Sequence, residues 1–231
     1  RALDEILPEG TWIRLLYLHP DRITHEFLDF LMRAKKILPY LDIPIQHIDD
    51  AILTAMNRSP VAAHIKNIFQ YARAKNPLFT LRTTIMVGFP GETEEQFQRV
   101  LDFLEDAEID RVGAFMYSPE EGTKAALLPD QISDEIKEER YRRLMEVQAE
   151  ILRERNALFI GKTLDVLIDE IDGEDDSAWG RSYRDAPEVD GMVCVFGGGK
   201  LVPGSYVKAV IIDAAEHDLF GTLVDEKEKM A

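Results

Sequence analysis

Two patterns of hydrophobic and polar positions alternate along residues 11–159. Short apolar runs predict strands at residues 12–18, 40–45, 79–87 and 111–117. Segments with apolar residues at helical spacing follow these runs, and the last segment, from Ser133 to about Phe159, is strongly charged. Strands that alternate with helices form parallel sheets with crossover helices. An α/β fold with four strand–helix units is therefore predicted, and because four units are few for a closed barrel, the sheet is either open or lacks its first strands.

After Gly161 the pattern changes to short alternating stretches. They cover residues 163–168, 191–196, 206–213 and 219–224, and clusters of Gly, Pro and Asp separate them. This arrangement is typical of a small all-β barrel. We therefore expect two domains, a partial (β/α) barrel at residues 1–159 and a β-barrel at residues 160–231.

A glycine-rich turn follows the third predicted strand. The turn is Gly88-Phe89-Pro90-Gly91-Glu92, and Thr93 with Gln96 is predicted to open the next helix as a capping box. In α/β folds such turns bring ligands close to the backbone N–H groups of a helix N-terminus. A tight turn without a ligand explains the spacing equally well, and Glu92 also fits a plain role at the positive end of the helix dipole.

Unusual polar side chains lie in or directly after the predicted strands. They are His19 after the first strand, Gln46 and His47 after the second, Arg82 inside the third and Tyr117 at the end of the fourth. Gln46 and His47 offer hydrogen-bonding groups toward the mouth of a barrel. A charge such as Arg82 is costly inside a strand unless it is paired, so either a ligand carboxylate or an acidic neighbour is expected beside it. His19 and Tyr117 also fit ordinary loops.

Charge and cysteine content limit the function further. The 231 residues contain 27 Lys and Arg against 43 Asp and Glu, a net charge of −16, and from residue 160 onward the counts are 7 and 16, a net charge of −9. This charge argues against a broad contact with nucleic acid and fits a basic partner, although solvation also explains it. The single cysteine, Cys194, excludes an internal disulfide and a cysteine-cluster metal site within the chain. With no signal peptide and no apolar stretch of membrane length, we expect a cytoplasmic protein without membrane contact.

Four motifs together resemble one enzyme family. They are RLLYLHPDRIT, YLDIPIQH followed by MNR, RTTIMVGFPGET and VGAFMYSPEEGT. Their order is similar to that of the methylthiotransferase branch of the radical S-adenosylmethionine (radical SAM) enzymes, and the closing β domain resembles a TRAM domain. Two kinds of member compete. The tRNA methylthiotransferases typically have Gln-Ser where this chain has Gln46-His47, whereas DIPIQH and the acidic β domain are more similar to the enzymes that modify a ribosomal protein.

The resemblance implies a reaction, its cofactors and a fold. The ribosomal-protein enzymes insert a methylthio group on the β-carbon of an aspartate in the twelfth small-subunit ribosomal protein. One 4Fe-4S iron–sulfur cluster, held by a CxxxCxxC motif, cleaves S-adenosylmethionine, and a second cluster in an N-terminal domain handles the inserted sulfur. The implied fold is a radical-SAM-type (β/α) barrel with parallel strands, followed by an OB-like TRAM barrel.

The resemblance also suggests site residues, though no catalytic residue. The positions that match the barrel mouth, and that are expected to contact S-adenosylmethionine or the substrate, are Gln46, His47, Arg82, Gly88, Phe89, Pro90, Gly91 and Glu92. His19 and Tyr117 are weaker candidates for substrate contact. The acidic TRAM domain is expected to dock the basic ribosomal protein and to repel tRNA phosphates.

The chain departs from the family in its cysteines. With Cys194 alone, neither cluster can be ligated within these residues, so the chain by itself is expected to be inactive. The absent motif and the count of four units predict that the chain begins after the first barrel strands. Strand edges and apolar surface exposed in this way are expected to cause self-association or instability. An alternative from another class is a cluster-free binding module for a basic protein.

Overall fold

Residues 2–59, 61–172 and 174–224 are described in the computed structural model. Their contacts divide the chain into two units, and the division lies between Ile151 and Leu152. It falls inside a long helix, α6, Asp134–Ala157, which begins in the first unit. None of the helices within the described residues is long and apolar enough to cross a membrane.

The first unit contains a parallel sheet, as the alternating pattern predicts. Its strands are β1, Tyr40–Gln46, β2, Thr80–Val87, and β3, Arg111–Met116, with β2 in the middle. The other elements are α1, Ala2–Ile6, α2, His25–Arg33, α3, Asp50–Ala55, α4, Ala62–Lys75, α5, Glu94–Asp106, and two 3-10 turns, Pro20–Arg22 and Ala125–Leu127. Both strand pairs are parallel because helices connect consecutive strands. The predicted α/β class is confirmed.

The segment of residues 12–18 is not a strand, so the prediction of four strand–helix units is wrong and the sheet has three strands. The segment forms one isolated bridge, between Ile13 and Ile37. Tyr17 has a φ of 57°, which is the left-handed region, and its N–H donates to the Asp42 carboxylate at 3.0 Å. The backbone therefore leaves the extended conformation before it can continue a ladder along β1.

Helix α5 forms as its sequence pattern predicts. The buried residues on one face of this helix include Phe97, Val100, Leu101 and Leu104. The Thr93 hydroxyl accepts the Gln96 N–H at 3.2 Å, and the Gln96 side chain accepts the Thr93 N–H at 2.9 Å, so the predicted capping box is present. Because this cap begins the helix directly after the glycine-rich turn, the turn lies at the carboxyl end of β2.

The second unit is a closed barrel with the strand order β4-β5-β6-β8-β7. The strands are β4, Thr163–Asp172, β5, Ser177–Arg181, β6, Val193–Phe196, β7, Tyr206–Ala214, and β8, Leu219–Leu223. The sequence pattern missed β5, which contains Gly180. The backbone carbonyl of Leu167 lies where a Cβ of Gly180 would be, so this glycine permits a close approach of two strands and does not mark a turn.

Candidate functional site

The carboxyl ends of the three parallel strands surround a cavity of about 740 Å³. Gln46 comes from the end of β1, Phe89 from the turn after β2 and Tyr117 from the position after β3. Further lining residues from the surrounding segments include Met56, Arg58, Met86, Lys124 and Leu128. Parallel α/β folds place ligands at this edge of the sheet. The cavity is therefore the candidate site of the first unit.

Gln46 reaches the cavity because β1 ends irregularly. The register of β1 against β2 shifts between Ile43 and Gln46, and Pro44 in between has no N–H to donate. Gln46 has a φ of 69°, which non-glycine residues rarely adopt. Its Oε1 is buried and has no hydrogen-bond partner among the described residues. An unpaired buried acceptor beside a cavity can accept a hydrogen bond from a ligand.

Phe89 and Tyr117 form an aromatic wall of the cavity. Their rings pack edge to face with centroids 5.3 Å apart, and Ile52 packs with them. The Tyr117 N–H donates to the Val87 carbonyl at 2.9 Å, which fixes Tyr117 beside β2. The Tyr117 hydroxyl is buried and has no hydrogen-bond partner in the part of the chain that the structure describes. The wall is thus apolar, with one unpaired hydroxyl.

His47, Glu92 and Arg140 form a buried cluster behind the turn. Glu92 Oε1 accepts a hydrogen bond from Arg140 Nη1 at 2.9 Å, and Glu92 Oε2 accepts the Gly88 N–H at 2.9 Å. His47 Nδ1 accepts the Asp49 N–H at 3.0 Å. Neutral His47 therefore carries its proton on Nε2, which lies 3.8 Å from Glu92 Oε2. These contacts hold the turn after β2 against the end of β1 and helix α6.

Burial shifts the pKa values of both titratable groups in this cluster. Desolvation lowers the pKa of His47 to about 4, against the attraction of Asp49 and with a further contribution from the Arg140 charge. Desolvation raises the pKa of Glu92 to about 7, although Arg140 and the Gly88 N–H favour its ionised form. His47 is therefore neutral at neutral pH, whereas Glu92 changes its charge close to neutral pH without contact with solvent.

Gly88, Pro90 and Gly91 of the glycine-rich turn do not line the cavity. Gly88 has a φ of 72°, and the side chain of Lys137 on α6 occupies the space that a Cβ would need. Gly91 has a φ of 80° with open space around it, and its N–H donates to a carbonyl of the loop before α6 at 2.9 Å. Pro90 is buried. Within this fully described turn, Phe89 alone lines the cavity.

Arg82 and His19 lie outside the cavity lining. Arg82 is near the beginning of β2 and donates to the buried carboxylate of Asp42 on β1 at 3.0 Å. Of the two partners that the sequence leaves open for Arg82, the structure thus contains the acidic neighbour. His19 is exposed, and its Nδ1 lies 3.7 Å from an Asp21 carboxylate oxygen. The structure does not bring these two residues together with Gln46.

Helix α6 contributes residues that the sequence analysis missed. Lys137 and Arg140 are buried and lie on the same stripe of the helix as the core residues Leu144 and Ile151. The Lys137 ammonium lies 5.8 Å from the centroid of the Tyr117 ring. A charge at an apolar position of a helical stripe is the signal that could have found them, because a buried charge requires a partner.

The cavity has the chemistry of a small-molecule site. Met56, Met86 and Phe89 supply apolar surface, while Gln46 Oε1 and the Tyr117 hydroxyl supply two polar groups that have no partner within residues 2–59, 61–172 and 174–224. Within the described ranges, no group of three His, Cys, Asp or Glu side chains is placed to hold a metal ion. Cys194, the one cysteine of the sequence, is buried in the second unit. The residues present fit an organic ligand with apolar and hydrogen-bonding parts, and they do not fit an iron–sulfur cluster.

Two protein-family models match parts of the chain. Residues 3–104 match the family model of the radical SAM superfamily, and residues 160–224 match the model of the TRAM domain. The first match covers β1, β2 and the glycine-rich turn, and the second covers the closed barrel. The chain is therefore similar to a radical SAM segment followed by a TRAM domain, in the order that the motifs predict.

Individual relatives are similar over nearly the whole of this chain. The protein named "Ribosomal protein uS12 methylthiotransferase RimO" of Shewanella oneidensis is 49% identical over 216 residues, which are 94% of this chain and 44% of the relative. The protein of the same name in Aeromonas hydrophila is 47% identical over 222 residues, 96% of this chain and 50% of that one. The resemblance to a RimO-type methylthiotransferase is confirmed. The chain spans about half the length of these relatives.

One solved structure is also similar. Escherichia coli coproporphyrinogen III oxidase (HemN), described as a radical SAM enzyme, aligns with a TM-score of 0.45 and 22% identity. The alignment covers 65% of this chain and 34% of that one.

Proposed function

We propose that this chain is part of a radical SAM methylthiotransferase that adds a methylthio group to the β-carbon of an aspartate in ribosomal protein uS12. The cavity at the strand ends carries the proposal, because Gln46 Oε1 and the Tyr117 hydroxyl are buried there without partners among the residues that the structure describes. The names of the relatives support the substrate. Because Cys194 alone cannot ligate a cluster, the ligands of two 4Fe-4S clusters would come from outside these 231 residues.

S-adenosylmethionine is the proposed occupant of the cavity. The rings and thioethers of Phe89, Met56 and Met86 offer apolar surface to an aromatic base, and Gln46 Oε1 can accept from an amino or hydroxyl group. The Tyr117 hydroxyl can donate or accept. When bound, this cofactor supplies the methyl group and the radical chemistry of the class. The chain's own residues bind and orient it and exclude water from one side.

We assign His47 and Glu92 a positioning role at this site. His47 follows Gln46 directly, and Glu92 holds the turn that carries Phe89 through the Gly88 N–H. Arg140 bonds to both the side chain and the carbonyl of Glu92, at 2.9 and 3.1 Å. The cluster therefore fixes Gln46, at the end of β1, relative to Phe89, in the turn after β2. In this proposal, the cofactor makes no direct contact with Arg82, Pro90, Gly91 or His19, which do not line the cavity.

The second unit is proposed to dock the basic ribosomal protein. Its net charge of −9 from residue 160 onward attracts a cationic surface and repels phosphates. Nucleic acid is therefore not proposed as the substrate. Because ribosomes are assembled in the cytoplasm, the protein is proposed to act there.

The test uses the full-length enzyme with reconstituted clusters, purified uS12, S-adenosylmethionine, sulfide and a reductant. Mass spectrometry of uS12 is expected to find one added methylthio group on an aspartate. Gln46→Leu is expected to weaken S-adenosylmethionine binding roughly fivefold to tenfold, because one hydrogen bond to the ligand is lost. Gln98→Leu, at an exposed position on α5, is the matched control. Modification of tRNA and not of uS12 would favour the tRNA methylthiotransferases instead.

A cluster-free binding module is the second candidate function, and the single cysteine favours it. Under this function, the 231-residue chain binds uS12 and does not bind S-adenosylmethionine. Equilibrium dialysis with labelled S-adenosylmethionine, with and without uS12, separates the two candidates.

A further inference from the structure

The outer surface of the β-barrel presents aromatic side chains that the cavity of the first unit does not involve. Trp179 on β5, Cys194 on β6 and Phe220 on β8 are direct register partners, so their side chains share one face of the barrel. Phe196 lies two positions after Cys194 and shares that face. The Phe220 ring centroid is 6.3 Å from that of Trp179 and 6.2 Å from that of Phe196. We call Trp179, Phe196 and Phe220 the aromatic face.

The aromatic face is accessible to a partner. Phe196 is 41% exposed, and Trp179 and Phe220 are half-buried, whereas Cys194 beneath them is buried. Inward-facing Val193 and Val195 fill the barrel interior, so the aromatic rings are not part of that core. Contiguous aromatic side chains on the outside of a small domain mark an interaction surface.

Carboxylates flank the aromatic face on both sides. Glu170 on β4 is the register partner of Trp179, and Asp213 on β7 is the register partner of Phe220. Both carboxylates are exposed. A third, Asp172, lies at the end of β4, two positions after Glu170. The register row that contains Trp179 and Phe220 thus runs from an acidic edge through an aromatic centre to a second acidic edge, whereas the row that contains Phe196 has a carboxylate, Asp172, at its β4 end alone.

The cationic side chains on the barrel strands are engaged elsewhere. Arg181 on β5 forms an ion pair with Asp169 at 2.7 Å, and Lys208 on β7 forms one with Asp165 at 2.6 Å. Arg184, in the segment after β5, is buried. Within the described part of the barrel strands, the aromatic face therefore combines exposed rings with negative charge that no strand cation neutralises.

We propose that the aromatic face binds a segment of the protein substrate that is rich in Lys or Arg. Cationic side chains lie over aromatic rings and place their aliphatic stems on apolar surface. Glu170 and Asp213 then receive the neighbouring cationic groups at the two edges. This inference rests on the proposed function, because the basic ribosomal protein is its partner. Aromatic faces of OB-like barrels also stack on nucleic acid bases, but the flanking carboxylates disfavour phosphates.

The experiment uses the 231-residue chain with Trp12→Phe, which leaves Trp179 as its one tryptophan. Purified uS12 and an oligoarginine peptide are the probes, and Trp179 fluorescence reports binding. Phe196→Ser is expected to weaken binding about fivefold, the size of one exposed cation–π contact. The double variant Glu170→Gln, Asp213→Asn is expected to weaken binding and to reduce its dependence on salt.

Tyr206→Ser is the matched control. Tyr206 is 45% exposed and lies on β7, outside the register rows that contain the aromatic face. Its substitution is therefore expected to leave the affinity for uS12 unchanged. Thermal unfolding of each variant shows whether the barrel is intact. Equal affinity for wild type and Phe196→Ser, equal losses in Phe196→Ser and Tyr206→Ser, or no binding of uS12 would overturn the proposal. Tighter binding of a single-stranded oligoribonucleotide than of uS12 would also overturn it.

Failure of this inference is distinguishable from failure of the proposed function. If the full-length enzyme with Phe196→Ser modifies uS12 with an unchanged KM, the function stands and the aromatic face is not the dock. If the full-length enzyme does not modify uS12 at all, the proposed function fails, whatever the fluorescence titration shows.

Discussion

Two sets of carboxylates, one in each unit of the chain, lie in opposite environments. In the first unit, the carboxylates of Asp42 and Glu92 are buried, and Arg82 and Arg140 neutralise them at 3.0 and 2.9 Å. In the second unit, carboxylates such as Glu170 stand exposed on the outer surface of a closed barrel. The same kind of residue therefore serves two different physical purposes in one chain.

The difference shows how each unit uses its charge. A buried carboxylate is costly unless a partner and hydrogen bonds offset its desolvation, so it fixes the geometry of the groups around it. An exposed carboxylate keeps its hydration and acts at a distance, through a field that salt screens. Substitutions in the first unit are therefore expected to change stability and cavity shape, whereas those on the barrel change association.

The largest expected effect is that of Arg140→Leu. This change leaves Glu92 buried without its cationic partner, and breaking such a pair costs about 3–5 kcal/mol in the free energy of unfolding. The control is Arg142→Leu, since Arg142 lies on the exposed side of the same helix and pairs with Glu146 at 2.6 Å. Urea unfolding of the 231-residue chain measures both. Equal losses in the two variants would show that the buried cluster does not stabilise the first unit.

The second prediction concerns pH, and it separates the two titratable groups of the cluster. Between pH 4.5 and about 7, the folded state retains the Glu92 proton that the unfolded state has lost, so this group makes stability fall as pH rises. Between pH 6.5 and about 4, the unfolded state binds the His47 proton that the folded state excludes, so this group makes stability fall as pH drops. The two contributions oppose each other where these ranges overlap.

Single substitutions are expected to reveal each contribution. Glu92→Gln removes the Glu92 contribution and leaves that of His47. Relative to wild type, the free energy of unfolding of this variant should therefore rise by about 1.4 kcal/mol per pH unit between pH 4.5 and 6.5. His47→Asn should show the opposite slope over the same range. Urea unfolding at several pH values measures the slopes. If stability depended on pH in the same way in wild type and in both variants, the shifted pKa values of His47 and Glu92 would be contradicted.

The local features of this cluster were predictable from the sequence, and its contacts were not. The capping box of Thr93 and the turn before it depend on residues within a few positions of each other, so their pattern is visible in the sequence. The partner of Glu92 is Arg140, which lies 48 positions later on a helix whose sequence is typical of a charged, exposed helix. Asp42 and Arg82 are separated by 40 positions in the same way.

Two adjacent residues also have side chains in different surroundings, and the sequence does not distinguish them. Gln46 and His47 are neighbours, and both are predicted to face the barrel mouth. The left-handed conformation of Gln46 directs its side chain to the cavity, while His47 is buried against Glu92. The sequence places both residues at the end of one strand, but backbone torsions determine which of them lines the cavity.

A third prediction compares the two glycines of the turn after β2. Both have positive φ values, 72° at Gly88 and 80° at Gly91, so alanine costs about 1 kcal/mol at either position. At Gly88 the added Cβ also displaces Lys137, which raises the expected loss to roughly 2–3 kcal/mol. Gly91→Ala meets open space and is the control. Similar losses at both positions would show that Lys137 yields without cost.

The smallest expected effect on stability is that of the double variant Glu170→Gln, Asp213→Asn on the barrel. Both side chains are exposed, so the free energy of unfolding should stay within roughly 0.5 kcal/mol of wild type. Arg140→Leu, which removes the partner of a buried carboxylate, serves as the contrast. Unfolding in urea at low and at high salt measures the variants, and only the barrel variant should lose affinity for uS12. If the barrel variant lost as much stability as Arg140→Leu, the carboxylates of Glu170 and Asp213 would be structural, and attraction of a cationic partner would no longer explain their exposure.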